Sequence, residues 1–574
     1  MPVHNSEIAA IFNELANLLE IGGANRFRVR AYRNAAITIA NLPKSAASMV
    51  EAHEDLSKLP TIGRDLAGKI AEIVATGHLT LLDEIEKTMP ADLVRIAAIP
   101  GLGPKRVKTL YEIAGIESLD TLETAAKAGK LRQLPGFGAK LEATILHQLK
   151  HLATSQKRWK LAVAEDFAEP YARYLRKLPG VRDVVIAGSY RRRKDTVGDL
   201  DLLATCPPEK ARTVVKAFTG YDEVETIISS GTTRSTVILR CGLQVDLRVV
   251  PQVSFGAALH YFTGSKGHNI AIRKMGVKRG LKVNEYGVFR GGDRIAGRTE
   301  EDIYKLFGLA VVPPELREDR GEIEAARKNR LPKLVERSDI RGDLHTHTDA
   351  SDGTASIRAM AEAAKQHGYD YVAISDHSKH ATIANGLDAS RLARQIDAID
   401  RLNDTIEGIR ILKSCEVDIL ANGRLDLSGS ILKRLDFRVC AIHSGFNLPR
   451  DKQTVRIIRA MDNPLFNIFA HPTGRLIGQR PPYDVDMDQI IDAARERSCF
   501  LEVNASPDRL DLNDIHCRLA KERGVKVVIS TDAHAISQFD LIRYGVDQAR
   551  RGWLEADDVL NTRPWTALKA LFKR

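Results

Sequence analysis

Gly188-Ser189-Tyr190-Arg191-Arg192-Arg193, followed by Gly198-Asp199-Leu200-Asp201, is the stretch around which this chain is arranged. Before it, Val184-Val185-Ile186-Ala187 is a short apolar run with β-branched residues and reads as a buried strand. Leu200-Asp201-Leu202-Leu203 reads as the next strand. Side chains two apart on a strand share a face, so Asp199 and Asp201 point one way while Leu200 and Leu202 face the core. Two carboxylates held that close repel and desolvate badly unless a cation sits between them. A divalent metal is the natural occupant, and Mg²⁺ favours carboxylates together with substrate phosphates. The Gly188-Ser189 turn and the arginines behind it offer N–H groups, a hydroxyl and positive charge to those phosphates.

Asp246 adds a third acid, in the alternating run Leu243-Gln244-Val245-Asp246-Leu247-Arg248-Val249. A lone D-x-D is more often a pair of surface acids. With G-S-x9-D-x-D in order and a later strand-borne Asp, the pattern resembles the nucleotidyltransferase superfamily. That resemblance implies three carboxylates holding two metals for in-line attack on an α-phosphate.

At 574 residues the chain exceeds one core and should divide into several domains. Its 44% hydrophobic and 28% charged content are those of a soluble globular protein, and no run is long and apolar enough for a membrane span or signal peptide. The cysteines (206, 241, 415, 440, 499, 517) form no C-x-x-C, which fits scattered core thiols in a reducing cytoplasm. Residues 1–342 carry 53 Lys and Arg against 41 Asp and Glu, and residues 343–574 carry 32 against 33. The basic part is therefore the one expected to meet a polyanion.

Residues 1–150 read as all-helical with a repeat: Leu59-Pro60-Thr61-Ile62-Gly63, Ile99-Pro100-Gly101-Leu102-Gly103 and Leu134-Pro135-Gly136-Phe137-Gly138. The last two precede Lys105 and Lys140. Glycine admits close approach of a phosphate, and the helix that follows offers free N–H groups. These segments resemble helix-hairpin-helix motifs, which grip a DNA backbone without reading bases. The first departs from the pattern, with Thr61 where glycine is usual.

Further on stands Leu259-His260-Tyr261-Phe262-Thr263-Gly264-Ser265-Lys266-Gly267-His268-Asn269, and later Asn284-Glu285-Tyr286-Gly287. With these, residues 1–315 resemble family X DNA polymerases throughout. The resemblance implies that Ser189, Arg192 and Arg158 bind the triphosphate. It implies that Tyr261 and Phe262 line the sugar pocket and disfavour a 2′-hydroxyl, that Gly264 also belongs to the nucleotide site, and that Asn269 and Arg273 reach the minor-groove side of the nascent pair. Lys266 replaces an acidic residue of some members, so no contact is carried over there. Lys69 falls at the position of the family's abasic-site lyase nucleophile, with Tyr32 and Arg28 as candidate 5′-phosphate contacts. A solvated helical lysine is an equal reading. Asp65, one turn before Lys69, would hold its charged form, so a weak lyase at best is expected. Residues 310–342, with prolines at 313, 314 and 332, read as a charged linker.

From 343 onward, apolar β-rich runs alternate with helical patterns, which suggests a barrel of βαβ units. His345, His347, Asp352, His377, Glu416, His443, His471, Asp532 and His534 all fall at strand ends, where barrel enzymes place their chemistry. So many imidazoles and carboxylates in one place would be costly without metal, and the N/O set suits Mn, Fe or Zn rather than Mg. The order H-x-H, D-G, D-H, E, H, H-P, D-x-H resembles the polymerase-and-histidinol-phosphatase (PHP) domain. That family implies up to three metals and phosphoester hydrolysis. Arg475 is either a substrate-phosphate contact or an ordinary salt bridge.

The expected architecture is multidomain: an all-α helix-hairpin-helix N-terminal region, an α+β nucleotidyltransferase palm and a C-terminal distorted (β/α)7 barrel of PHP type. The expected borders are a lyase-like helical domain at 1–80, hairpin motifs at 81–155, the palm at 156–250, a nascent-base-pair subdomain at 251–315, the linker at 316–340 and the PHP domain at 341–574. The resemblance implies a monomeric cytoplasmic enzyme that fills short gaps in DNA from deoxynucleoside triphosphates with Mg²⁺ or Mn²⁺. Its barrel would trim 3′ ends as a 3′-5′ exonuclease. Two alternatives are a polymerase whose barrel is a metal-stabilised scaffold, and a nucleotidyltransferase for RNA or a small molecule.

Overall fold

Helices Asn5–Ile21 and Arg26–Ala40 open the chain, and the second buries Val29, Tyr32, Ala35, Ala36 and Ile39 on one face. The computed structural model describes residues 5–40, 42, 46–87, 89–90, 92–97, 99, 102–139, 141–142, 145–146, 149 and 158–573. They fall into two units, Met1–Lys157 and Arg158–Arg574. In the first, Ile8, Phe12, Leu15, Tyr32 and Ile39 pack with Ile70 and Ile73 of helix Arg64–Thr76. A smaller core joins Leu93, Leu102, Val107, Leu110, Leu122 and Phe137. Gly63 and Gly103 are the N-caps of helices Arg64–Thr76 and Pro104–Ala114, with Pro104 at the first helical position, where its missing N–H costs nothing. Gly136 takes φ +80°, and Thr61, at the same place in the first hairpin, takes φ +67°. A β-branched residue is strained in this left-handed region, which is why glycine is usual there. Pro100, Gly101 and Lys140 lie outside the described residues.

The second unit begins with a five-stranded sheet, ordered Asp183–Ile186, Asp199–Thr205, Gln244–Val250, Arg234–Leu239, Val224–Ser230. Only the Asp199–Thr205 and Gln244–Val250 strands run parallel to each other. Helices Leu161–Arg176 and Ala211–Thr219 join its buried core through Tyr171, Leu175, Val214 and Phe218, which pack with Leu200, Leu202, Val245 and Leu247. Helices Phe255–Thr263, Lys266–Lys278 and Glu300–Phe307 follow, with a three-stranded antiparallel sheet, Leu281–Asn284, Gly287–Arg290 and Asp293–Ala296, between the last two.

The segment expected as a linker is packed. Arg317 is 1% exposed, pairs with Glu300 and donates to the Val312 carbonyl at 2.9 Å. Glu322 is fully buried against His268 Nδ1 at 2.7 Å. Arg317 and Glu322, two of the charges that suggested a solvated linker, are buried against partners from other elements, and composition cannot foretell those partners. Glu300 also accepts from Arg191 Nη2 at 2.6 Å. Burial works against its charge, yet Arg317 and Arg191 bring its pKa down to about 2. Replacing Glu300 by Gln should destabilise the chain by about 3–5 kcal/mol, because the buried Arg317 loses its counter-charge. Urea unfolding of the full chain reads this directly.

The barrel has seven parallel strand positions: Gly342–Asp343, Tyr371–Ile374, the broken strand Arg410–Lys413 and Glu416–Asp418, Val439–Ala441, Ile468–Phe469, Phe500–Asn504 and Val527–Ser530. The bridges His377↔Glu416 and Thr346↔Ala533 join the two sheets into a ring. Period-2 alternation sorts the side chains. Tyr371 and Ala373 face the interior with Leu412, Val439 and Ile468, while Val372 and Ile374 face the surrounding helices. Phe572, just past the C-terminal helix Trp565–Leu571, stacks on Phe437 at 4.7 Å beside the strand starts. All six cysteines are free, and no described helix is long and apolar enough to cross a membrane.

Candidate functional site

In the palm, parallel pairing sets Asp201 directly opposite Asp246, with Asp199 two residues earlier on the same face. Asp246 accepts from Thr236 Oγ1 at 2.5 Å and from Gln244 Nε2 at 2.7 Å. Desolvation, then Asp246, raises the Asp199 carboxyl above the usual range; desolvation, then Asp199 and Asp246, pushes Asp201 up to about 7. Such mutual repulsion is what a bound divalent cation removes, so the three carboxylates fit the expected metal. Gly188 lies against this cluster at φ +60°, and a Cβ there would come within 2.3 Å of Asp201 Oδ2. Only glycine lets the turn approach so closely.

Ser189 rides on the helical turn Gly188–Arg191. Arg192 donates Nη1 to the Thr263 carbonyl at 2.5 Å and Nε to Glu318 at 3.1 Å, while Gly264 brings its backbone beside the same guanidinium. Arg158 is tied to Thr196 by bonds of 2.8 and 2.6 Å, and its charge lowers Asp199. Asn269 donates to the Tyr261 carbonyl at 2.7 Å, and the Arg273 guanidinium lies over the Tyr261 ring at 5.0 Å. Arg248 covers Phe262 at 5.2 Å. Of the residues expected at the nucleotide, Arg192 thus meets Gly264, and Tyr261 meets Asn269 and Arg273. Arg248, two after Asp246 on the same strand face, was missed; D-x-R at period 2 was the available signal.

Of the nine barrel residues, all but Glu416 lie past the carboxyl ends of its strands, and Glu416 stands at the break between Arg410–Lys413 and Glu416–Asp418. Eight fall into three overlapping groups with ligand atoms within 4.8 Å of one another: His347, Asp352, His377 and His534; His345, His347 and Asp532; His377, Glu416 and His443. The ninth, His471, meets Glu416 Oε1 through Nε2 at 2.9 Å. Glu416 also faces His377 Nδ1 at 2.8 Å and His443 Nε2 at 3.2 Å. Burial opposes its charge, but these histidines hold it well below the usual carboxylate range. Burial likewise opposes protonation of His377, yet Glu416 carries it to about 11, whereas burial and His377 push His347 down to about 4. His345 Nε2 and His347 Nδ1 are buried with no hydrogen-bond partner among the described residues, and the 2.8 Å approach of His377 Nδ1 to Glu416 Oε2 lacks hydrogen-bond geometry. Orphaned imidazole nitrogens converging on carboxylates fit transition-metal coordination.

Behind the expected ligands lies a supporting layer of acids. Glu502 accepts from His345 Nδ1 and from the His471 N–H, both at 2.7 Å, and Asp418 faces His443 Nδ1 at 3.1 Å. Asp343 accepts from the His345 and Thr531 N–H groups, at 3.2 Å each. Each fixes the orientation of a ligand or the strand end beside it. Two signals were legible, D-x-H at 343–345 and E-x-D at 416–418. Arg475 bonds Asp195 at 3.1 Å and the carbonyls of Arg509 and Leu510 at 2.7 and 2.6 Å, which favours the salt-bridge reading. Arg509, with Nε 3.6 Å from Asp532, stands nearer the metal cluster.

In the helical unit, Arg28, Tyr32, Thr61, Gly63, Asp65 and Lys69 line a cavity of about 530 Å³. Lys69 Nζ is ion-paired with Asp65. Lys105 is exposed in the first turn after Gly103.

Palm, helical subdomain and barrel define a polymerase core joined to a metal-binding phosphoesterase barrel. Family models agree: a helix-hairpin-helix domain matches residues 3–79, a SAM-like helix-hairpin-helix tandem 93–151, the DNA polymerase beta thumb 258–318 and the PHP domain 343–506. The chain is 38% identical over 577 residues to the DNA polymerase/3′-5′ exonuclease PolX of Bacillus subtilis (strain 168), covering all of both. It is 27% identical over 343 residues to DNA polymerase lambda of Rattus norvegicus, across 55% of this chain and 56% of that one. A "probable phosphatase" of Thermoanaerobacter sp. (strain X514) is 32% identical over 233 residues, across 38% of this chain and 89% of the relative. The chain belongs to the PolX family of DNA polymerase/3′-5′ exonucleases, enzymes that depend on divalent metal.

Proposed function

We propose that this enzyme fills short gaps in DNA during base-excision-type repair and trims or unblocks 3′ ends with its barrel, working as a cytoplasmic monomer. The observation that carries the reading is the register of Asp201 against Asp246 beneath a basic glycine turn, in one unit with the clustered histidines and acids of the barrel. Asp199, Asp201 and Asp246 would hold Mg²⁺ or Mn²⁺, which supplies Lewis-acid stabilisation of charge at the α-phosphate. Ser189, Arg192 and Arg158 hold the triphosphate in line with the primer end. Tyr261 and Phe262, with Gly264 behind them, pack against the sugar and leave no room for a 2′-hydroxyl. Asn269 and Arg273 touch the minor-groove edge of the new pair. Backbone N–H groups after Gly63, Gly103 and Gly138, with Gly101, Gly136, Lys105 and Lys140, hold DNA phosphates without regard to sequence.

In the barrel, His345, His347, Asp352, His377, Glu416, His443, His471, Asp532 and His534 would hold up to three Mn, Zn or Fe ions, which supply electrophilic assistance to phosphodiester hydrolysis. Glu502 and Asp418 fix the imidazoles of His345 and His443. A gap-filling assay tests the whole reading: one-nucleotide-gapped DNA with Mg²⁺ or Mn²⁺ should be extended by deoxynucleotides and poorly by ribonucleotides. Equal use of both, or extension of RNA alone, would sink it.

Lys69 should give at most a weak borohydride-trapped adduct with a 5′-deoxyribose-phosphate end, because its ion pair with Asp65 must break before the amine attacks. An exposed i,i+4 pair is worth about 0.3–0.5 kcal/mol, so Asp65→Asn should raise the yield only about twofold. Lys69→Ala should remove the adduct. An adduct that survives Lys69→Ala assigns the attack to another amine.

A further inference from the structure

The residues that follow Gly188-Ser189 are held, almost one by one, by groups outside the palm sheet. Arg191 bonds Glu300 at 2.6 Å and Thr263 Oγ1 at 2.7 Å. Arg193 donates to Asp547, on barrel helix Ile542–Arg551, at 2.7 Å. Asp195 accepts from Arg475 of the barrel at 3.1 Å. Between them stands Arg551, the last residue of that helix. It donates Nη1 to the main-chain carbonyl of Arg192 at 2.7 Å and to Glu318 Oε1 at 3.2 Å, and Nη2 to Asp514 at 2.6 Å. Its side chain is 3% exposed. Glu318 Oε1 is the same atom that receives Arg192 Nε at 3.1 Å.

Arg192 is therefore fixed at three points: its backbone carbonyl by Arg551, its Nε by Glu318 and its Nη1 by the Thr263 carbonyl. Among the described residues Nη2 donates to nothing, which leaves that edge for a phosphate oxygen. Burial opposes the charge on Glu318, but Arg551 and Arg192 lower its pKa to about 2, so the carboxylate is available to both arginines throughout the neutral range. A domain contact that served only to dock the barrel could fall on any palm surface. Other barrel contacts reach Lys160 and Glu165 of the palm, but those of Asp547, Arg475 and Arg551 fall on the one turn that carries the nucleotide-facing groups.

We propose that Arg551 of the barrel is a positioning residue for the polymerase reaction: through Glu318 and the Arg192 carbonyl it sets the Arg192 guanidinium for the triphosphate, so the barrel tunes nucleotide affinity. This rests on the reading of Arg192 as a phosphate ligand. An arginine ordered before its ligand arrives loses less side-chain freedom on binding, so freeing it weakens binding rather than the chemical step. Lysine at 551 keeps the charge but has a single nitrogen, which cannot span the Arg192 carbonyl, Glu318 and Asp514 together.

The test is single-nucleotide insertion on gapped DNA with the full chain, measuring KM for the deoxynucleotide and kcat separately, with 3′-5′ exonuclease on single-stranded DNA measured alongside. Arg551→Met and Glu318→Gln should each raise KM about five- to tenfold, with kcat and the exonuclease rate within about twofold. Arg551→Lys should recover part of the loss. Arg192→Ala is the reference and should raise KM at least as much. If Arg192→Ala raises KM and the Arg551 and Glu318 variants do not, the proposal is overturned while the reading of Arg192 stands. An unchanged KM in Arg192→Ala overturns that reading, and the proposal with it. Parallel losses of kcat and exonuclease in Arg551→Met and Arg551→Lys would make Arg551 merely structural, which also overturns the proposal.

Discussion

Alanine at Asp199 and Asp201 together should cut nucleotide addition by at least about 10³-fold and leave 3′-5′ hydrolysis of single-stranded DNA nearly intact. The size follows from what the carboxylates hold. Metal stabilisation of a transferring phosphoryl group is worth several kcal/mol, and each ~1.4 kcal/mol is tenfold in rate. Asp246 alone, already engaged by Thr236 and Gln244, cannot replace a cradle built across two strands. The protein should fold normally, because the native carboxyls repel: desolvation and its two neighbours push Asp201 to about 7. Removing two of three mutually repelling acids relieves strain, so the variant should unfold at the same or a slightly higher temperature than the parent. Primer extension, exonuclease assay and thermal unfolding on one preparation check all three statements. Loss of both activities in a folded variant would mean that the two centres are not independent.

Much of this centre was legible because its elements are local. The stretch from Asp183 to Thr205 contains a strand, a helical turn and a strand, and period 2 sorts Asp199 and Asp201 from Leu200 and Leu202. The partner of Asp201 was not legible, since pairing with Asp246 spans 45 residues and depends on sheet order. The barrel shows the same division. Its candidate ligands were readable as histidines and acids after β-rich runs. Glu502 was hidden, because a glutamate within the apolar strand Phe500–Asn504 looks like an ordinary alternation. Its task appears only when the ring closes and His345 lies 2.7 Å away. Residues 316–340 show why composition fails where charges are paired. Arg317, Glu318 and Glu322 have the look of a solvated linker, yet each is buried or nearly so against a partner from another element. The grip of Arg551 on the phosphate turn had no sequence signal, since it joins residues more than 350 positions apart.

Alanine at His345 and His347 should abolish the 3′-5′ exonuclease and strip transition metal from the barrel, while gap filling falls far less. His345 and His347 share a ligand group with Asp532, and His347 also belongs to the group with Asp352, His377 and His534. Their loss therefore opens two of the three clusters at once. The remaining groups are left buried with mismatched charge: Asp532 is now held ionised chiefly by His345 and His347, against the cost of its burial. An uncompensated buried carboxylate is costly, so this variant should also lose stability. Glu502→Gln separates the two effects. It leaves every expected ligand in place and removes only the charge that fixes His345 Nδ1 and the His471 N–H. Changes of this kind typically cost about 10–100-fold in metal affinity or activity, so excess metal should rescue Glu502→Gln but not the histidine pair. Elemental analysis of purified protein, with exonuclease rates across a metal titration, reads both. A barrel that hydrolyses 3′ ends at the parental rate with His345 and His347 replaced would place the exonuclease chemistry elsewhere in the chain.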